Sequence, residues 1–391
     1  MRERSAVEVF LTFLKLGLTS FGGPIAHIGY FRQEIVVRRR WVDEATYSDL
    51  VALCQFLPGP ASSQVGLSLG LIRARYCGAL AAWTGFTLPS AILMTAFAYG
   101  ASELNSPIGL GTLHGLQLVA VAIVAQAVWG MASTLCPDRQ RASIACVAAV
   151  IILFSNSSIA QVGVIFLGGG AGFWLCRASA PKIERPLGIP VSRRVGVVAL
   201  AAFFALLTVL PVLGTQSQGL ELFGAVYRSG ALVLGGGHVV LPLLNNALVT
   251  PGWVSQDSFL AGYGAAQAMP GPLFTFAAYL GAVEKPSPHG LAGAALGLVG
   301  IFLPGILILL GALPFWDTFR QRVGAQAIMR GVNAAVVGLL GAALYSLLWV
   351  NSVRSPADFA LALIGFVLLT TWRAPPLLVV ILGALGGIAL A

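Results

Sequence analysis

Charge is what this chain has least of. Only 9% of its 391 residues are Asp, Glu, Lys or Arg, with 14 acidic against 23 basic, while 57% are hydrophobic. So little charged surface cannot keep so much apolar side chain in water, which excludes an ordinary soluble domain. No Gly-rich phosphate loop ending in Lys-Ser or Lys-Thr occurs, so ATP is not the energy source within the chain. The five cysteines (Cys54, Cys77, Cys136, Cys146, Cys176) have neither metal nor redox spacing and are expected to be packing residues. Paired carboxylates, a Ser/His/Asp set and a metal-ligand cluster are also missing. The expectation is a protein that is not an enzyme and has no cofactor and no metal. A cleaved leader is not expected either, because Lys15 interrupts the first apolar run and no small-residue cleavage site follows.

What the chain has in plenty is long apolar stretches. Ala79 to Ala98, Leu116 to Leu135, Ile159 to Leu175, Val195 to Leu213, Leu291 to Leu313 and Val332 to Val350 approach or reach the length a helix needs to cross about 30 Å of hydrocarbon. They are continuous rather than alternating, which argues for helices and against a barrel. Ala142 to Phe154 and Phe359 to Thr371 are short for full spans and leave the crossing count open. The fold class expected is an all-α polytopic membrane protein with the lipid bilayer as its solvent. A net charge of +9 could suggest nucleic acid, but the arginines sit in short loops between apolar runs, where they act as topology signals.

One block occurs twice. Phe10, Lys15, Gly17, Gly22 and Gly23 are matched by Phe223, Arg228, Gly230, Gly235 and Gly236 at a spacing of 213 (228 − 15). After a one-residue slip the spacing is 212, pairing Trp41 with Trp253, Gln55 with Gln267, and Pro58-Gly59-Pro60 with Pro270-Gly271-Pro272. A tandem duplication places a first repeat at 1–178, a basic linker at 179–194 and a second repeat at 195–391. Apolar segments interrupted by Gly and Pro at corresponding places in two halves point to a transporter's binding site.

Equivalent loops carry opposite charge bias. Arg32, Arg38, Arg39 and Arg40 follow the first Gly-rich turn, whereas Asn245 to Trp253 has no basic residue; further on, Ala101 to Gly111 has none where its counterpart has Arg320, Arg322 and Arg330. Cytoplasmic loops collect Lys and Arg, so the repeats are expected to be inverted about a twofold axis in the membrane plane. The linker, with Arg177, Lys182, Arg185, Arg193 and Arg194, is placed in the cytoplasm with the N-terminus. Arg2, Arg4, the Arg32 to Arg40 cluster, Arg73 and Arg75 are then all inside if the broken segments are re-entrant hairpins; broken helices that span remain the alternative.

Broken helices expose backbone N–H and C=O groups that lipid cannot satisfy, so they persist only inside protein or beside water. Glycine lets backbone approach a ligand, and half-helix N-termini offer donors and partial positive charge, which together suit an anion. Lys15 and Arg228 lie at equivalent positions within apolar runs, where a charge is costly and functional by default. The plainer reading has each snorkelling to an interface or pairing with a carboxylate such as Asp49 or Asp257. Gln55, Gln267, Ser62, Ser63 and Thr275, beside the Pro-Gly-Pro turns, add neutral donors. His27 and His238 follow the two Gly-rich breaks, offset by two positions; each is either a structural histidine or, with Asp49, a proton carrier. Arg32, Glu34, Arg38 and Trp41 are expected to gate or anchor at the cytoplasmic face. The candidate substrate cradle is therefore Lys15, Gly22, Gly23, Gln55, Pro58, Gly59, Ser62, Ser63, Arg228, Gly235, Gly236, Gln267, Gly271 and Thr275.

These residues resemble the chromate ion transporter (CHR) family in its long, two-repeat form. The likeness rests on Phe21-Gly22-Gly23-Pro24-Ile25-Ala26-His27, on Gln55-Phe56-Leu57-Pro58-Gly59-Pro60-Ala61-Ser62-Ser63-Gln64-Val65-Gly66, and on Gly235-Gly236-Gly237-His238 with Gln267-Ala268-Met269-Pro270-Gly271-Pro272. Met269 stands where relatives are expected to have valine. The resemblance implies efflux of chromate across the bacterial inner membrane and chromate resistance, with sulfate as the look-alike substrate. The residues alone imply an oxyanion carrier, as monomer or homodimer, binding no nucleic acid. An importer or exchanger of sulfate, a membrane enzyme acting on phospholipid head groups and an anion channel are the competing readings. With the cell negative inside, a departing dianion gains about 4.6 kcal/mol per 100 mV, twice the single-charge value, enough for a gradient of about three decades without ATP.

Overall fold

The computed structural model describes residues 5–21, 23–101, 107–155, 158–177, 191–214, 217–234, 237–285, 287–319 and 322–390. Gly22, Gly235, Gly236, Arg320 and the linker residues 178–190 lie outside the described residues. Among the described residues every regular element is helical. The first copy comprises α1 (Ala6–Thr19), α2 (Gly23–Phe31), a π-helical turn (Arg32–Arg38), α3 (Glu44–Phe56), α4 (Ala61–Ala101), α5 (Pro107–Leu135), α6 (Arg139–Phe154) and α7 (Ser158–Leu175). After α8 (Arg193–Leu213) the order returns: α9 (Gln218–Ala231), α10 (Val240–Leu244), a second π-turn (Asn245–Val249), α11 (Gln256–Ala268), α12 (Phe276–Val283), α13 (Gly290–Ala312) and α14 (Trp316–Phe319). α15 (Val323–Ala343), α16 (Val350–Ser352), α17 (Pro356–Thr370) and α18 (Pro376–Leu390) complete it.

The duplication reaches the level of caps and bends. Ser5 accepts from the Val7 N–H at the start of α1 and Ser217 from the Leu220 N–H at the start of α9; Asp43 and Ser255 do the same for α3 and α11. Such caps satisfy the orphan donors of a helix's first turn. Left-handed backbone recurs as well: Arg40 (φ 54°) with Gly252 (82°), Gly59 (115°) with Gly271 (102°), and Arg75 (54°) with Gly290 (65°). α4 is therefore two helical limbs bent at Ala74 and Arg75, as α12 and α13 are two helices separated at Gly290. The expected span Ala79 to Ala98 is the second limb of α4. π-turns, which reopen the helical hydrogen-bond ladder and concentrate at functional places, occur at the same point of both copies.

Five helices, 61–100, 108–135, 193–213, 290–315 and 323–352, are long and apolar enough to cross a membrane, and shorter apolar helices accompany them. Among these is α18, whose 15 residues were not among the expected spans.

The chain forms two compact units, each drawing on both copies. The first contains 1–98, 183–237 and 269–318. Its core gathers Val9, Phe13, Phe31, Ile35, Leu50, Leu53 and Val65 around Leu309 and Trp316. Lipid is as apolar as these side chains, so close backbone packing supplies the specificity. α1 meets α4 at Gly17 and Gly85, where a Cβ would lie 2.7 Å from the carbonyls of Phe86 and Phe10 respectively, and α9 meets α13 at Gly230.

The second unit contains 99–182, 238–268 and 319–391. In it the α17–α18 hairpin packs on α5 and the α6–α7 hairpin on α15, each hairpin serving a helix of the other copy. Gly115 crosses Gly383 and Gly387; Gly331 crosses Gly168 and Gly172.

Candidate functional site

In the first unit the glycine corners of the two copies meet. The Gly59 N–H donates to the Val233 carbonyl at 2.7 Å and the Gly271 N–H donates to the Ser20 carbonyl at 2.9 Å. Ser20 and Val233 are equivalent residues, each just ahead of a Gly-rich break, and Gly59 and Gly271 are the equivalent centres of the Pro-Gly-Pro turns. Such a reciprocal exchange is what a twofold relation between copies produces. Both turns need glycine for two reasons. Their φ values are left-handed, and a Cβ would stand 2.9 Å from Gly305 Cα at Gly59 or 2.7 Å from Ser90 Oγ at Gly271. The Gln64 amide braces the first turn by donating to the carbonyls of Pro58 (2.8 Å) and Gly305 (2.9 Å).

Buried polar side chains line the same unit: Ser20, His27, Ser62, Ser63, Gln64, Thr87, Ser90 and Thr275. Some are satisfied locally. His27 Nδ1 lies 3.4 Å from Ser62 Oγ, Ser90 Oγ donates to the Thr87 carbonyl, and Thr275 Oγ1 donates to the Pro272 carbonyl. Others are not: Ser20 Oγ, His27 Nε2, Ser63 Oγ, Gln64 Oε1 and Thr87 Oγ1 have no hydrogen-bond partner among the described residues. An unsatisfied buried polar group costs about 1–3 kcal/mol, so a fold that keeps several has use for what fills them. Hydroxyls and an imidazole beside helices that begin at Gly23 and Ala61 form a donor-rich, uncharged lining suited to an oxyanion.

The cations stand apart from this lining in how they are compensated. Lys15, half exposed on α1, pairs with Glu34 at 3.4 Å. Glu34 is buried and also receives Arg39 at 2.8 Å and Arg38 at 3.3 Å. Burial alone would raise the Glu34 carboxyl, but Arg39, Lys15 and Arg38 together hold it below the usual carboxylate range. The partner of Lys15 is thus Glu34 of the π-turn, which neighbouring sequence did not suggest. Arg32 bonds Glu44 at 2.7 Å on the exposed surface, while Gln55 is exposed and Asp49 half-buried on α3.

Arg228, at the position equivalent to Lys15, pairs with no carboxylate among the described residues; its Nε donates to the Gly224 carbonyl at 3.3 Å. It lines a cavity of about 350 Å³ with Leu210, Gly214, Ser217, Gln218 and Glu221.

In the second unit His238 Nδ1 lies 2.6 Å from the Tyr263 hydroxyl. Gln267 is buried and its Nε2 has no partner among the described residues. Most of the expected residues therefore fall into three groups, Gly59, Gly271, His27, Ser62, Ser63 and Thr275 around the corners, Lys15 with Glu34, and His238 and Gln267 in the second unit, while Arg228 lines its own cavity and Gln55, Asp49 and Arg32 stand apart. Sequence reasoning passed over Ser20, Gln64, Thr87, Ser90 and Tyr263. Thr87 and Ser90 bracket Pro89 inside an apolar run, which was the available signal.

Comparison with known proteins agrees with this architecture. The family model described as Chromate transporter matches residues 7–173 and again 220–388. A chromate transport protein of Pseudomonas aeruginosa is 30% identical over 97% of this chain and 90% of its own length. A chromate transport protein of Cupriavidus metallidurans is 26% identical over 92% of this chain and 86% of its own length. An uncharacterized transporter of Methanocaldococcus jannaschii is 26% identical over 86% and 83%. No solved structure matches the chain.

Proposed function

This chain belongs to the chromate transporter family, and we propose that it is a multi-pass secondary transporter exporting chromate across the inner membrane, thereby conferring resistance. The observation that carries the reading is the exchanged pair of hydrogen bonds, Gly59 to Val233 and Gly271 to Ser20, beside buried donors without partners. Backbone N–H groups at the broken helices, Ser62, Ser63 and His27 hold the oxyanion's oxygens. Arg228, which shares its cavity with Glu221 but forms no ion pair among the described residues, supplies the positive charge that attracts the dianion. Lys15 contributes less, because Glu34 already holds it.

Functionally the chain divides into a first repeat (1–178), a cytoplasmic basic linker (179–194) and an inverted second repeat (195–391). With the N-terminus inside and the cell interior negative, a dianion leaving gains about 4.6 kcal/mol per 100 mV, so export runs electrically downhill. Arg32 and the Glu34 cluster face the cytoplasm as an anchor or gate.

Purified protein in liposomes loaded with chromate tests this. Efflux should rise with an inside-negative potential and show counterflow with external chromate, with sulfate as the competitor. Absence of counterflow would indicate a channel, and absence of any flux would overturn the reading.

A further inference from the structure

Glu284 follows α12 and precedes α13, outside every group assigned above. Its side chain is buried, with 4% exposure, and neither carboxylate oxygen has a hydrogen-bond partner among the described residues. A buried carboxylate with no partner is too costly to persist as the ion, so the group binds something that neutralises it.

The other copy shows what is missing. Gly70 and Gly281 make equivalent crossings, with Gly78 and Gly293, and three residues beyond them lie Arg73 and Glu284. Arg73 bonds Glu8 at 3.0 Å. The residue equivalent to Glu8 is Glu221, so the second copy offers an acid where the first has an acid–base pair. The titratable groups nearest in the chain on the elements around Glu284 are Tyr279 of α12, Lys285 and His289 beside it, Glu221 and Arg228 of α9, and Tyr99 of α4, whose Phe97 packs on Tyr279; α13 has none. None of them forms an ion pair with it among the described residues. The Glu284 segment also reaches the start of α9, where Pro288 packs against Gly219, the neighbour in sequence of Gln218, which lines the Arg228 cavity with Glu221.

We propose that Glu284 is a proton-binding site, gaining a proton as the neutral acid and releasing it as the carboxylate, so that proton exchange is coupled to movement of the anion past Arg228. This rests on the transport reading above and adds to it the coupled ion and the residue that carries it. Burial pushes the Glu284 carboxyl up to about 8, so the acid form persists through neutral pH and gives up its proton only on the alkaline side.

Two measurements on the full-length protein separate this proposal from the transport reading. In infrared difference spectra across a pH titration, a carboxylic-acid carbonyl band should disappear near pH 8 in the wild type and be absent in Glu284→Gln; a wild-type spectrum without that band overturns the proton site whether or not chromate moves. In proteoliposomes with the potential clamped at zero, a pH gradient should drive chromate flux at least tenfold above the level without a gradient. Glu284→Gln should lose that response, and Glu284→Asp should restore it with a shifted pH profile. A Gln variant that keeps the response, or an Asp variant that fails to restore it, overturns the coupling. A band that titrates in a protein moving no chromate would instead sink the transport reading.

Discussion

The two copies kept the same backbone and parted company in their charges. Left-handed turns, π-turns, caps and Pro-Gly-Pro corners recur at matched positions, down to reciprocal hydrogen bonds of 2.7 and 2.9 Å. Their ionisable side chains do not. The first copy ties Lys15, Arg38 and Arg39 to Glu34, and Arg39 and Arg73 to Glu8. At the corresponding places the second copy has, among the described residues, Arg228 paired with no carboxylate and Glu284 with no cation. The broken backbone is thus common to both halves, whereas the compensated charges belong to the first, and the roles proposed for Arg228 and Glu284 rest on that difference.

The severest challenge to that view is a methyl group at either corner. Gly59→Ala and Gly271→Ala each force a side chain into left-handed backbone and into a neighbour at under 3 Å, a cost on the order of 2–4 kcal/mol. Both should abolish chromate resistance with similar loss of folded protein, scored by detergent-extracted yield and thermal unfolding. If only one of them matters, the corners are not equivalent.

Next comes the charge comparison itself. Arg228→Gln should lower chromate flux at least tenfold, whereas Lys15→Gln should lower it by only a few-fold, because Arg38 and Arg39 still hold Glu34. Equal losses would mean that Lys15 leaves Glu34 during transport and acts as a ligand too.

A smaller effect is expected from the Glu34 cluster. Its carboxyl is depressed in the folded state, so the stability it gives is present above the ordinary carboxylate range and lost as pH falls through that range and below. Glu34→Gln should remove roughly 1–2 kcal/mol at neutral pH, since two of its three cations are more than half exposed, and nothing further at acidic pH. Unfolding curves at pH 7 and pH 3 would check it. Smallest of all, breaking the exposed Arg32–Glu44 pair should cost about 0–1 kcal/mol and change flux less than twofold; a larger loss of flux would make Arg32 a gate rather than an anchor.

Comparing the copies made much of this legible in the sequence, and also set its limits. Gly59 and Gly271 stood out because matched glycine and proline survive duplication where backbone geometry demands them. Gln64, which braces the first corner, did not, because its counterpart is Phe276 and a search for matched pairs discards it. Gln55 and Gln267 match in sequence, yet one is exposed and the other buried, since matched positions record ancestry and not present surroundings. Glu284 was hidden by a register slip that sets it opposite Arg73. Hydropathy finds the second limb of α4 but neither its first limb nor the bend at Arg75, and it misses α18, whose 15 residues are short for a span. The π-turns leave no periodic trace, because they are short and one extra residue in a helical turn calls for no particular side chain.

Because each corner is closed by a carbonyl from the opposite copy, and each terminal hairpin rests on a helix of the opposite copy, neither half can finish folding by itself. A first half made alone would have these seams open. A ribosome that stops in the linker should leave a fragment destined for proteolysis, while two halves made as separate polypeptides in one cell should still find each other and assemble.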